Sequence, residues 1–502
     1  MPNEVAMSQR RRPCVMLLVL LLALTRAALG AEARRPDLVI VHTNDLHAHY
    51  RSFPDRDGAL RGGFARIAWR IGELRAEHGD RLLYLDAGDL FAGTPFYHFY
   101  KGSLGIALMD RLGCAAMALG NHELDDGHLN FLRARVGARF PTVCANLAFP
   151  DGEPLLPESA LLEAGGLRVE VLGLIAAELP ELVGEVARGE LLVRPPVTVL
   201  REWLAAARPA ADLRLVLSHC GIEADSLLAA AVPEIPLIIG GHSHSFLREP
   251  QRVGPVTICQ TGCYGYNLGV LECFRRTDGG WDFAWRNEPV TIAWPEELEV
   301  KALIERAGTL VDREMNQVLG RLPEPFAGKD KSWRPDPLGM LLADRMRAAA
   351  GADLGLQNSG GYRTHLPAGP ITRGQLFELM PFNNQVLRLH FRGSDLRSLF
   401  DFLAAGHGDY CFAQIVGGDY AIADSLALEI HVGGAPLEPE REYTLATLDF
   451  LFSGGDGYGP VLQTATRVDT LAVFGRDLLE DFLLSGAQPR PADFPPNFRV
   501  LE

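Results

Sequence analysis

Five short stretches concentrate side chains that bind metals and handle protons. Asp45 and His47 stand one residue apart in NDLHAH, Asp89 closes DAGD, Asn121, His122 and Asp125 lie within GNHELDD, His219 falls in LSHC, and His242 and His244 alternate in GGHSH. Carboxylate and amide oxygens suit hard divalent cations and imidazoles suit borderline ones, so the mixture fits zinc, manganese or a similar metal. On an extended segment, residues two apart project to one side, and Asp45 and His47 can therefore address one ion. Asp89 carries two oxygens and can bridge two. Asp45, His47, Asp89, Asn121, His219, His242 and His244 together could serve a pair of metals sharing that carboxylate. Singly, a histidine after a strand is more often a hydrogen-bonded structural residue than a ligand. The conjunction of five such clusters is what points to chemistry.

Each cluster begins where a short apolar run ends. LVIVHTNDLHAH (38–49), LLYLDAGD (82–89), AAMALGNHELD (115–125), LRLVLSHCG (213–221) and PLIIGGHSH (236–244) share this grammar. Between them, Phe64–Glu77 and Val199–Arg208 have helical periodicity. Strands alternating with helices predict an α/β sandwich, in which ligands gather on loops beyond the carboxyl ends of the strands.

A helical, charge-mixed segment over Glu296–Val318 is followed by PEPFAG at Pro323–Gly328, which breaks the pattern and sets a domain boundary near residue 325. Residues 36–325 then form the first domain, ending in a linker helix, and residues 326–502 the second. In the second, ADRMRAAAG reads as a helix ending at Gly351, followed by DLGLQ, the loop NSGGYR, and short strands between glycine-rich turns through SGGDGYG. This predicts a separate α/β domain.

The chain has 502 residues, is 47% hydrophobic and carries a formal charge of −15, which opposes binding to a nucleic-acid polymer. Arg10–Arg12 precede an apolar run from Val15 to Leu24, and Ala28, Leu29 and Gly30 give a cleavage pattern before Ala31, so residues 1–30 read as a signal peptide. Export to the periplasm or the extracellular space is expected, with no stable membrane insertion after cleavage. Seven cysteines remain beyond the leader, an odd number that is no disulfide scaffold, and Cys220 beside His219 reads as a small buried residue. His42, His49, His98 and His128 receive no role.

DLH, GDLFAGTP, GNHELD, SHCG and GHSH together resemble the calcineurin-like metallophosphoesterase superfamily, and their wording and spacing resemble its secreted 5′-nucleotidase branch over essentially all of the mature chain. The resemblance implies a four-layer α/β/β/α sandwich with a second, substrate-binding α/β domain. It further implies that Asp45, His47, Asp89 and His244 hold one divalent metal and Asp89, Asn121, His219 and His242 the other, with a hydroxide between them as nucleophile. His122 would stabilise the transferring phosphoryl group and assist the departing oxygen, and Asp125 would hold its imidazole. Glu123 is left as a supporting or helix-start charge.

NSGGYR resembles the family's Asn-x-Gly-Gly-x-Arg loop, with Ser359 where many relatives have glycine, and makes Asn358 and Arg363 substrate contacts. Phe382 and Asn384 in PFNN, and Phe450 and Asp456 in DFLFSGGDGYG, complete the implied site: two rings stacking on a base and a carboxylate accepting from ribose hydroxyls. An arginine from the preceding helix is also implied, with Arg345 and Arg347 as open candidates. The expected activity is hydrolysis of nucleotide phosphoesters to nucleoside and phosphate. Nucleotide-sugar diphosphate or 2′,3′-cyclic substrates, and a catalytically inactive nucleotide-binding protein, are the alternatives.

Overall fold

The strand β1 (Leu38–Thr43) is buried at all six positions, because both faces of its sheet are covered. It runs parallel to β2 (Leu82–Asp86), which leads to β3 (Cys114–Ala118) and β4 (Thr142–Val143), also parallel. A second sheet contains β5 (Ser159–Ala164), β6 (Leu167–Ile175), β7 (Leu213–His219), β8 (Leu237–Gly240), β9 (Gln251–Val253) and β10 (Val256–Cys259). The antiparallel pair β11 (Asn267–Arg275) and β12 (Trp281–Pro289) completes the first sheet, in the order β12-β11-β1-β2-β3-β4, while the second runs β9-β10-β8-β7-β6-β5. This computed structural model describes residues 34–55, 58–182, 191–327, 331–409 and 411–501. The signal peptide expected over residues 1–30 lies outside the described residues.

Alternation along the strands explains the layering. Leu38 and Ile40 of β1 share one apolar cluster with Val169, Val171, Leu215, Leu217 and Ile239 of the second sheet, so the sheets pack face to face. Val39 and Val41 point the other way, onto Phe64, Ile67, Ile71 and Leu74 of the helix Phe64–His78. Leu172, Leu174, Val216 and Ile238 likewise turn outward onto Leu200, Trp203 and Leu228 of two helices. Helix, sheet, sheet and helix form the expected four-layer sandwich. The parallel strands β1, β2, β3, β7 and β8 empty from their carboxyl ends into the five polar clusters. Cys144, Cys220, Cys259 and Cys273 are buried free thiols.

The second α/β part is built on a five-stranded sheet. Its strands are β13 (Leu354–Asn358), β14 (Gln385–Arg392), β15 (Ala413–Val416), β16 (Glu442–Leu448) and β17 (Arg467–Phe474), in the order β15-β13-β16-β14-β17. Strand β13 is parallel to β16 and β14 is antiparallel to it, so the end of β13, the end of β16 and the start of β14 lie at one edge. Two helices link the halves: α1 (Pro95–Tyr100), which follows the Asp89 loop, and α2 (Leu298–Met315), whose Val300, Ile304 and Val311 join the first domain's core. Beyond them, α3 (Arg373–Leu379) is tied to the end of α2 through Arg373 and Glu314 at 2.9 Å, and α4 (Gly475–Leu484) lies against α3. The strand Val318–Leu322 pairs with Gly369–Thr372, so it hydrogen-bonds within the second half although it precedes residue 325.

Candidate active site

The loops carrying the five clusters have unusual backbones. Asp45, His47, Asp89, His242 and His244 all adopt positive φ, between 45° and 75°. Side chains other than glycine rarely occupy that region, and where they do the cost is usually offset by function. Close approach does the rest: a Cβ on Gly120 would collide with the Asp89 backbone and side chain, so the second and third loops touch only because residue 120 is glycine.

These turns bring donor atoms together. His47 Nε2 and His244 Nε2 are 2.9 Å apart, with Asp45 Oδ1 at 3.5 Å from the latter and 4.0 Å from the former. Asp89 Oδ2 lies 3.1 Å from His219 Nε2 and 3.8 Å from His47 Nε2, and Asn121 Oδ1 is 3.0 Å from His242 Nδ1. Ligand atoms of Asp45, His47 and His244 lie within 4.8 Å of one another, as do those of His47, Asp89 and His122 and those of Asp89, His219 and His242. All seven expected ligand positions therefore belong to one contiguous group, with Asp89 touching both sides.

The group fits a pair of divalent cations on its own chemistry. His219 Nδ1 donates to the Ala87 carbonyl at 2.7 Å and His47 Nδ1 to that of Phe91 at 3.2 Å, so each ring turns its Nε2 inward. His219 Nε2 is buried and faces only Asp89 Oδ2, at 3.1 Å, among the described residues. Burial holds His47 well below the ordinary imidazole range and brings His242 down to about 4, which keeps both in the neutral, ligating form. At His219 burial acts downward too, yet the Asp89 and Asp45 carboxylates outweigh it and push the imidazole up to about 10. The carboxylates draw positive charge to the point where these nitrogens converge, and a bound cation would displace the His219 proton.

His122 sits beside this group with its ring edge-on to His47, 5.1 Å between centroids. Its Nδ1 meets Asp125 Oδ2 at 2.8 Å and its backbone N–H donates to Asp89 Oδ1 at 2.9 Å. Burial lowers its pKa, but the Asp125 and Asp89 carboxylates prevail and push it up to about 10. With Nδ1 committed to Asp125, Nε2–H is the donor left for a ligand.

The second group forms at the shared edge of the five-stranded sheet. Asn358, the last residue of β13, donates its amide to Asp456 Oδ2 at 2.6 Å. Phe382 and Phe450 are each 43% exposed, which is unusual for phenylalanine and leaves ring area for a ligand. Asp449 Oδ1 accepts from both Gln385 N at 3.1 Å and Phe450 N at 2.8 Å, joining the turn after Phe382 to the turn of Phe450. The Arg363 guanidinium lies 5.1 Å over the Phe382 ring, and the Asn384 carbonyl accepts from Gly475 N at 3.0 Å. Of the two open arginines, Arg345 stacks over Phe482 at 4.1 Å and Arg347 pairs with Asp344 at 2.9 Å.

Residues 38–246 match the calcineurin-like phosphoesterase family and residues 318–464 the 5′-nucleotidase C-terminal domain. The chain belongs to the 5′-nucleotidase family of calcineurin-like phosphoesterases. It is a phosphoric-ester hydrolase of a kind that uses divalent metal ions. It is 27% identical to 5′-nucleotidase from Mus musculus, over 86% of each chain, and 28% identical to snake venom 5′-nucleotidase from Crotalus adamanteus, over 86% of this chain and 84% of that one. The crystal structure of a 5′-nucleotidase precursor from Thermus thermophilus superposes with a TM-score of 0.69 at 28% identity, covering 93% of this chain and 99% of that one. Among the described residues no helix is long and apolar enough to cross a membrane.

Several residues around this 5′-nucleotidase-family site carry more than sequence reasoning assigned them. Glu123, read only as a supporting charge, is fully buried and accepts from four backbone N–H groups, those of Asp89, Leu90, Phe91 and Gly120, at 2.7–3.0 Å. Asn44 donates to Asp45 Oδ2 at 2.6 Å, and Tyr264 donates its backbone N–H to Asp45 O while its ring edges meet His47 and His244. Asn44 adjoins Asp45 in sequence and could have been suspected; Tyr264 could not. His42 accepts from Trp285 Nε1, His49 stacks with Phe53 and Tyr264, and His98 packs edge-on to Phe377.

Proposed function

We propose that the chain is a metal-dependent 5′-nucleotidase that hydrolyses a nucleotide phosphoester to nucleoside and phosphate. The observation that carries the nucleotide half of this reading is the exposure of Phe382 and Phe450 on turns joined through Asp449, with Asp456 held by Asn358 at the same sheet edge. Two flat rings and a carboxylate suit a base and a ribose, whereas a simple phosphoester needs neither.

In this proposal Asp45, His47, Asp89 and His244 hold one cation and Asp89, Asn121, His219 and His242 the other, with zinc or manganese suiting the donor set. Bound divalent cations supply Lewis acidity at phosphorus and lower the pKa of water. His122 Nε2–H donates to the phosphoryl oxygens and delivers its proton to the departing 5′-oxygen, while Asp125 fixes the ring and holds the positive charge. The Arg363 fork takes a phosphate oxygen, the two phenylalanines enclose the base with Asn384 in the same turn as Phe382, and Asp456 accepts from the ribose hydroxyls.

The division into a catalytic part over 36–325 and a nucleotide-binding part over 326–502 belongs to the same proposal. Residues 318–322 are reassigned to the second part because of their pairing with Gly369–Thr372. Export to the periplasm or extracellular space is retained in it, supported by the relative found in snake venom.

Phosphate release by the purified chain from AMP, ADP, ATP, UDP-glucose, a cyclic nucleotide and phenyl phosphate, with manganese or zinc and again with chelator, tests this reading. Chelator-sensitive turnover that favours AMP over phenyl phosphate is expected. Equal turnover of AMP and phenyl phosphate would remove the nucleotide assignment and leave only a metallophosphatase.

A further inference from the structure

Arg476 is 2% exposed, a guanidinium sealed into the second half of the molecule. Among the described residues no carboxylate pairs with it directly. Its Nη1 donates to the Met380 carbonyl at 3.0 Å, its Nη2 to Asn383 Oδ1 at 2.7 Å, and its Cζ lies over the Phe377 ring, 3.7 Å from the centroid. Asp477 and then Glu480 attract it without bonding to it, and Glu480 is itself taken by Arg373 at 2.7 Å. Burying a cation without a directly bonded counter-ion is costly, and an apolar side chain of similar volume would fill the same space at lower cost. Its bonds go instead to one object, the turn from Met380 to Asn384.

That turn carries Phe382. Its far end is fixed by the Gly475 N–H on the Asn384 carbonyl at 3.0 Å, so adjacent residues of α4 grip both sides of Phe382. The ring projects outward, 43% exposed, with Arg363 over it. A planar fork suits this task because it engages a carbonyl and an amide at once while stacking on Phe377, which an ammonium cannot do.

We propose that Arg476 is a positioning residue for the nucleobase: it sets the Met380–Asn384 turn so that the Phe382 ring meets the base, and thereby fixes the chain's preference for nucleotides over simple phosphoesters. This rests on reading Phe382 as a base contact. Arg476 itself touches no reacting atom.

The test measures kcat and KM for AMP and for phenyl phosphate in wild type, Phe382→Ala, Arg476→Lys and Arg476→Met, with thermal unfolding of each. Expected for both Arg476 variants is a rise of about tenfold in KM for AMP with kcat within twofold, and an AMP-over-phenyl-phosphate ratio of kcat/KM that falls as it does in Phe382→Ala, consistent with the loss of most of one base–ring stack. Should Arg476→Met fail to fold, Asn383→Ala, which removes one acceptor of the guanidinium, is expected to move the same ratio in the same direction. If Phe382→Ala collapses the ratio but Arg476→Lys and Asn383→Ala keep it at the wild-type value, the inference is overturned while the base contact stands. An equal loss on both substrates overturns it too, since that marks a structural role. A wild-type ratio in Phe382→Ala removes the base contact and the inference with it.

Discussion

Glu123 Oε2 accepts the backbone N–H of Asp89 at 3.0 Å and that of Gly120 at 2.7 Å, so one buried carboxylate clamps the turn in which Asp89 adopts its φ of 59°. Oε1 takes the next two N–H groups, of Leu90 and Phe91. Every partner is a donor. Glutamine offers one oxygen and one NH2 in that space, and the NH2 would face N–H groups. Glu123→Gln is therefore expected to destabilise the fold by about 2–4 kcal/mol, the cost of buried donors left unmade, and to weaken metal binding. Thermal unfolding and metal content after dialysis check this; wild-type metal content would contradict it.

His122→Ala should keep both metals, because its imidazole is spent on Asp125 and not among the seven expected ligands. Turnover of AMP should fall about 10²- to 10⁴-fold, the usual contribution of a positioned proton donor. Asp89→Ala should instead empty the site. Metal analysis beside kcat separates the two; loss of metal in His122→Ala would overturn its assignment.

Asp125 is the leading carboxylate holding His122 up to about 10. A raised histidine pKa means that the protonated ring, and the stability it brings, is fully present below the ordinary 6.5 and is lost as pH rises through the folded value. Asp125→Asn lowers that value, so the alkaline fall in kcat should move to lower pH. A pH profile from about 6 to about 11, which brackets both values, reads the shift. An unmoved alkaline limb would contradict the pairing.

His98 has the opposite sign. Burial first, then the Arg476 and Lys101 cations, bring it down to about 4, where it packs on Phe377 between the two halves. The unfolded chain takes up that proton first, so stability present above about 6.5 is lost as pH falls toward 4. Tm should fall more steeply over this range in wild type than in His98→Phe, which keeps a ring but does not titrate. Parallel slopes would contradict the account.

The convergence of the seven expected ligand positions was legible in sequence because each lies within a few residues of a strand end, and the strands declare themselves by short apolar runs. Asp45, Asp89, Asn121, His219 and His242 need only the sandwich to bring five such ends together. The α/β sandwich followed from the same runs, and its four-layer order from the family resemblance. What could not be read is what binds across the chain: Glu123 reaching back 34 residues to Asp89, Tyr264 under Asp45, and Arg476 holding the Phe382 turn through Asn383, 93 residues upstream. The strand Val318–Leu322 escaped for the same reason, since its partner lies beyond residue 368. Hydrogen bonds between distant backbones leave no periodicity to detect.

Stepwise addition of manganese or zinc to the chelated chain, with bound metal and AMP hydrolysis followed together, is the most direct test of the dinuclear nucleotidase. Activity absent without metal and saturating at two ions per chain is the expected result. Hydrolysis that survives full chelation, or that saturates at one ion, would contradict it.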